Sequence, residues 1–173
     1  MEIQIDKMES PIGKIVLAVS GGALCALDFR ESPQPIAERL KRRYGALQLS
    51  NGNGARKFRE RLEAYFRGEI DALDGVAADP GGTAFQREVW SALRRIPVGS
   101  TASYSQIAAA IGRPTAVRAV GLANARNPVA LVIPCHRVVG LDGSLTGYAG
   151  GLDRKRWLLE HEGCLPQKGL ALS

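Results

Sequence analysis

The chain has 173 residues, of which 45% are hydrophobic and 23% charged, with a net charge of +6. It is long enough for one or two small domains with a real core, and no apolar run approaches the ~20 residues of a membrane span. The N-terminus lacks the basic start and apolar stretch of a secretory signal, and three cysteines cannot all pair, so the expected compartment is the reducing cytoplasm.

The first third reads as strands. Ile3 and Ile5 alternate with polar residues, Gly13 to Val19 is a second apolar run, and Gly21-Gly22 is a turn before a third strand, Ala23 to Phe29. Short links between them predict an antiparallel meander. Cys25 lies inside the third strand as a small buried hydrophobe. Pro35 to Arg43 and Ala55 to Arg67 read as helices that turn Ile36, Leu40, Phe58, Leu62, Tyr65 and Phe66 inward, with Asn51-Gly52-Asn53-Gly54 as the loop between them.

Asp79-Pro80-Gly81-Gly82 is the expected domain boundary, dividing the chain into 1–80, 81–165 and a tail, 166–173. The charge changes there too. Residues 1–81 hold 12 Lys/Arg and 12 Asp/Glu, whereas 82–173 hold 11 and 5. A one-sided basic half is the electrostatic footprint of nucleic-acid binding, although a merely solvated basic face has the same composition.

Beyond the boundary, Thr83 and Gln86 form a capping-box pattern ahead of a helix with Phe85, Val89 and Leu93 on one face, ending before Pro97. Ser103 and Gln106 form a second box, opening a helix through Ile111 that Gly112 ends. Pro114 suits the first turn of the next helix, to about Ala125. Two short helices around a glycine turn are a helix-turn-helix candidate, a weak signal by itself. On the second helix Val117, Val120, Gly121 and Asn124 share one side. Thr115, Arg118, Ala119, Leu122 and Arg126 share the other. No acidic residue occurs between Arg95 and Arg137. Small side chains with arginines and no carboxylates suit a helix lying against a polyanion better than a plain packing helix.

Pro134-Cys135-His136-Arg137-Val138 follows the apolar run Ala130-Leu131-Val132-Ile133. A thiol beside an imidazole at the end of a buried segment fits a nucleophile as well as a structural cysteine. The last helix starts near Asp153, read as its N-cap, and stops at Gly163. Glu162 falls on its apolar side with Leu158 and Leu159. A carboxylate there needs a partner, and His136 would supply one, which makes Cys135, His136 and Glu162 a nucleophile, a base and an orienting acid. His161 lies off that face, in a surface or packing role, and Cys164 is a bystander.

From about Thr83 to Gly163 the sequence resembles the catalytic domain of O6-alkylguanine-DNA alkyltransferases. The Pro134 to Val138 motif is specific to them. Tyr104, the Pro114 to Ala125 helix, Asn127-Pro128, Gly147-Tyr148-Ala149-Gly150-Gly151 and His161-Glu162-Gly163 match in order and approximate spacing. The resemblance implies an α+β fold: a small ribonuclease-H-like domain of β-meander and helices, then a mostly helical, winged-helix-like helix-turn-helix domain. It implies a cytoplasmic monomer whose partner is double-stranded DNA containing O6-alkylguanine, with O4-alkylthymine as a second substrate. The alkyl group passes irreversibly to Cys135, once per chain.

In that resemblance His136, acting through a water and oriented by Glu162, takes the thiol proton. Tyr104 rotates the nucleotide and protonates N3 of guanine, and Asn127 supports the turn. Arg118 fills the space left by the flipped base, with Thr115, Ala119 and Arg126 beside it on the DNA. Pro134, Val138, Tyr148, Ala149 and Gly150 line the substrate pocket. Ala149 stands where many relatives have serine. No cofactor is implied. The zinc that some relatives hold in the N-terminal domain is not expected, because residues 1–81 contain only Cys25 and no histidine. Three rival readings are a damage sensor without a reactive cysteine, which Cys135 opposes, a cysteine hydrolase, and a regulator with an extra sensor domain, for which the chain is too short.

Overall fold

The computed structural model describes residues 2–50 and 53–165. Asn51 and Gly52 of the expected loop, and the tail 166–173, lie outside the described residues. The chain divides into two compact units: 1–81 with 128–132, and 82–127 with 133–173. A single boundary near residue 80 therefore misses a short excursion, in which five residues of the second half belong to the first unit.

In the first unit β1 (Glu2–Met8), β2 (Ile15–Ser20) and β3 (Ala23–Phe29) form the antiparallel meander that the short links predict. Five successive residues of β2 are buried, the mark of a strand covered on both faces. Helix α1 (Gln34–Tyr44) lays Ile36 and Leu40 on Ile3, Val16, Ala18, Cys25 and Ala26. It leads into β4 (Gln48–Ser50), which pairs parallel to β1 and gives the order β3-β2-β1-β4. Sequence reading misses β4 because three residues, Gln-Leu-Ser, carry no period. Helix α2 (Arg56–Phe66) buries Phe58, Leu62 and Tyr65, while Phe66 is only half-buried.

The outer edge of β3 is covered by two short segments. Leu24 donates to Ala77 O and accepts from Asp79 N, and Leu27 donates to Pro128 O and accepts from Ala130 N, at 2.8–3.0 Å. An edge whose N–H and C=O groups are paired in this way cannot template another strand. Arg43, at the end of α1, grips Asp79 through its carbonyl at 2.8 Å and its carboxylate at 2.9 Å.

In the second unit α3 (Ala84–Arg94) opens with both hydrogen bonds of the Thr83–Gln86 capping box, and α4 (Tyr104–Ala110) with both of the Ser103–Gln106 box. Trp90 on α3 donates its indole N–H to Ala123 O of α5 (Val117–Ala125) at 2.9 Å. Gly112, at φ +73°, turns the chain between α4 and α5. Helix α5 starts later than Pro114 suggests. Ala116 donates back to Arg113 O in a tight turn and has ψ +33°, so Pro114 and Thr115 precede the helix. Strands β5 (Ala102–Ser103) and β6 (Val138–Val139) pair in parallel, tying the start of α4 to the chain just after Cys135. Helix α6 (Leu152–His161) begins from Gly151, whose carbonyl accepts from Lys155 N, and not from an Asp153 cap. Asp153 sits in the first turn, where its charge still favours the helix dipole. No helix among the described residues is long and apolar enough to cross a membrane.

Replacing Ser103 with Ala removes the side-chain acceptor for the Gln106 N–H. It is expected to cost about 1 kcal/mol, read as a lower urea midpoint with unchanged slope.

Candidate active site

Every residue from Pro128 to Val139 is buried. Within that run the chain makes two i→i+2 turns. Leu131 stands at φ +70°, with Val132 N donating to Ala130 O at 2.8 Å, a γ-turn that strains any residue other than glycine. Pro134, at φ −82° and ψ +65°, makes the relaxed counterpart, with Cys135 N donating to Ile133 O at 2.8 Å. The 3-10 turn Cys135–Arg137 follows, leaving Cys135 only 6% exposed.

Glu162, at the C-cap of α6, is 3% exposed and meets two partners. Its Oε2 lies 2.8 Å from His136 Nε2 and 3.3 Å from Arg137 Nη2, and its Oε1 accepts from Arg137 Nε at 2.7 Å. Arg137 also donates to Ile96 O at 2.9 Å. Burial by itself would raise the carboxyl pKa. The hydrogen bonds and charges of His136 and Arg137 overcome that and hold it well below the usual carboxylate range. Burial holds the pKa of His136 below the usual imidazole value, against the opposing pull of Glu162. His136 therefore rests neutral, with Nε2–H donating to Glu162 and the Nδ1 lone pair free to take a proton.

Lys155 is a site residue that sequence reading misses. It lies one turn into α6, where a lysine reads as solvent-facing, yet it is fully buried. Its amine donates to Thr146 O at 2.7 Å. Burial lowers its pKa from 10.5 to about 8, and a Cys135 thiolate pulls it the other way. An ammonium here stabilises a thiolate at Cys135. Thr146 O also accepts from the Tyr104 hydroxyl at 3.2 Å. One carbonyl of the glycine-rich loop thus joins the tyrosine to the buried lysine. Tyr104 is half-buried beside Gly121 of α5 and Gly147 of the loop, and a Cβ on either glycine would stand 3.9 Å from it. Tyr148 and Gly150 are half-buried and Ala149 is exposed; Pro134 and Val138 are buried on either side of the Cys135 turn.

The outer face of α5 is open. Arg118, Ala119, Leu122 and Arg126 are exposed, as is Thr115 in the turn before the helix. Asn127 does not share that face: its Nδ2 donates to Ile133 O at 2.7 Å, closing the chain on either side of the 128–132 excursion. His161 stacks on Trp157, with ring centroids 4.7 Å apart. None of the three cysteines forms a disulfide among the described residues. Burial raises Cys25 to about 11 and raises Cys164 as well, so neither is disposed to act as a thiolate. Among the described residues no group of three His, Cys, Asp or Glu could hold a metal ion.

Comparison with known proteins gives this arrangement a family. The ribonuclease-like domain of 6-O-methylguanine DNA methyltransferase matches residues 4–79, and the DNA binding domain of the same enzymes matches 84–164. The chain belongs to the 6-O-methylguanine DNA methyltransferase family. It is 49% identical over 157 residues to the methylated-DNA–protein-cysteine methyltransferase of Methanosarcina barkeri, covering 91% of this chain and 95% of the relative. It is 42% identical over 166 residues to that of Shigella flexneri, covering 92% and 95%. The crystal structure of Mycobacterium tuberculosis OGT in complex with DNA superposes with a TM-score of 0.77 at 42% identity, covering 94% of this chain and 93% of that one.

In this methyltransferase fold Glu162→Ala strands a buried guanidinium and removes the partner of His136. It is expected to cost about 3–5 kcal/mol in urea unfolding at neutral pH. Lys155→Met should do the opposite to stability. An amine whose folded pKa lies below its unfolded value imposes its full cost below pH 8, and that cost fades as pH rises to the unfolded pKa. At about 1.4 kcal/mol per unit, less the hydrogen bond to Thr146, the variant is expected to gain about 2 kcal/mol at pH 7 and little near pH 10.5. It should also alkylate more slowly at Cys135. A lower urea midpoint at pH 7 would overturn this account of Lys155.

Proposed function

We propose that this chain is a DNA-repair methyltransferase that moves the alkyl group of O6-alkylguanine in duplex DNA onto its own Cys135. The observation that carries the reading is the buried His136 Nε2–Glu162 Oε2 contact of 2.8 Å, beside the thiol of Cys135, which forms no disulfide. It leaves Nδ1 as the base and holds a carboxylate ready for the imidazolium that forms.

The thiol proton passes through a water to His136 Nδ1. The thiolate, favoured by the Lys155 ammonium, attacks the alkyl carbon in line with O6. The S–C bond forms as the C–O6 bond breaks, and the electron pair leaves on guanine. Tyr104 gives a proton to N3, neutralising the base. The product is a thioether, whose C–S bond resists hydrolysis, so each chain acts once. O6 of a stacked guanine is out of reach of a buried thiol, which requires the nucleotide to leave the helix. Arg118 is assigned to the gap it leaves, with Thr115, Ala119 and Arg126 against the backbone and Asn127 holding the turn. Pro134, Val138, Tyr148, Ala149 and Gly150 are assigned to the pocket. Cysteines outside any disulfide suit the cytoplasm.

Mixing the protein with a duplex carrying one O6-methylguanine should add a single methyl group, mapped to Cys135 and saturating at one per chain. Cys135→Ala should bind the duplex without gaining mass. Arg118→Ala should slow repair of the duplex more than reaction with free O6-benzylguanine. Methyl transfer that persists in Cys135→Ala, or equal loss on both substrates in Arg118→Ala, would overturn the corresponding role.

A further inference from the structure

Asn124 sits on the inner face of α5 and is 3% exposed. Its Nδ2 approaches the carbonyl oxygen of Cys135 in a long contact of 3.5 Å. That carbonyl can only accept, so the amide must present nitrogen to it and turn its oxygen the other way. Asn124 Oδ1 is then a buried acceptor without a partner among the described residues. One other unpartnered buried atom belongs to the reacting segment, His136 Nδ1. A buried amide oxygen left unsatisfied is costly, and native proteins answer such groups with protein donors or ordered water.

We infer that Asn124 is a positioning residue that holds the water between the Cys135 thiol and His136. This rests on the alkyltransferase reading above. Such a water has three partners: it accepts from the thiol and donates to His136 Nδ1 and to Asn124 Oδ1, a normal complement for a buried water. In the transfer, the S–H proton goes to the water oxygen as the water's own proton goes to Nδ1. The second water proton stays on Asn124. The amide thereby fixes which water proton faces the base, while its nitrogen steadies the backbone of the residue that attacks. Asn127, one turn further on, grips Ile133 O. One amide on α5 and one just beyond it thus hold alternate carbonyls, those of Cys135 and Ile133.

The test compares Asn124→Leu and Asn124→Ala with the wild-type protein. Two rates are followed from about pH 6 to about pH 10: carboxamidomethylation of Cys135 by iodoacetamide, mapped by peptide mass, and transfer from free O6-benzylguanine. Leucine fills the place of the amide with apolar atoms and excludes the water. Alanine leaves room for another. The expected result is a loss of about tenfold for Asn124→Leu at pH 7 that closes as pH rises, when hydroxide takes the proton directly, and a smaller loss for Asn124→Ala. A packing role alone predicts the reverse order, because alanine leaves the larger cavity. Equal pH profiles in all three proteins, or a loss independent of pH, would overturn the inference. Asn124→Ala keeps the test decisive if the leucine variant does not fold. The alkyltransferase reading fails separately, if the wild type reacts with iodoacetamide and leaves methylated DNA untouched.

Discussion

One buried carboxylate organises the second unit. Glu162 closes α6, and its two oxygens are taken by His136 and Arg137, neighbours in sequence at the end of the turn Cys135–Arg137. An ionised carboxylate in that position is stable only with both partners, and each partner needs it in return. The geometry is consequently all-or-none. With it in place the imidazole has one possible tautomer, and its basic nitrogen lies on the side away from the acid. Arg137 shares the charge of Glu162, so the carboxylate orients the imidazole without drawing a permanent proton onto it. Its further bond to Ile96 O extends the same constraint to the chain beyond α3.

The second charge in the site works differently. Lys155 has no carboxylate partner among the described residues; it is held by a loop carbonyl that Tyr104 also uses. A cation buried against a neutral acceptor is poorly compensated until a negative charge appears near it. In the proposed transfer that charge is the Cys135 thiolate. Stability and reactivity therefore oppose each other at this lysine: the arrangement is unfavourable in the resting protein and becomes favourable when the proton leaves Cys135.

What was legible in the sequence was whatever has a short-range signature. Both capping boxes, the glycine at φ +73° and the alternating strands follow from local chemistry, and the acid-free outer face of α5 is readable from spacing. Glu162 was readable because a carboxylate on an apolar face is an anomaly requiring a partner. Arg137 and Lys155 were not, because a long cationic side chain is by default read as solvated, and only tertiary packing decides otherwise. The late start of α5 and the opening of α6 at Gly151 turn on one backbone bond each, which residue identity did not fix. Strand β4 was too short to show a period. The excursion at 128–132 looks, in sequence, like any apolar run before an active site.

That excursion has a consequence for how the chain can be divided. The backbone groups of Leu27 on the outer edge of β3 are answered by Pro128 and Ala130, residues that the ribosome makes a hundred positions later. Until they arrive, or in a fragment cut at the linker near residue 81, that stretch of β3 is an open, apolar ribbon edge with β2 buried beside it. Such an edge recruits strands from other molecules. The first unit is thus not a self-sufficient module: its solubility depends on a segment encoded inside the second.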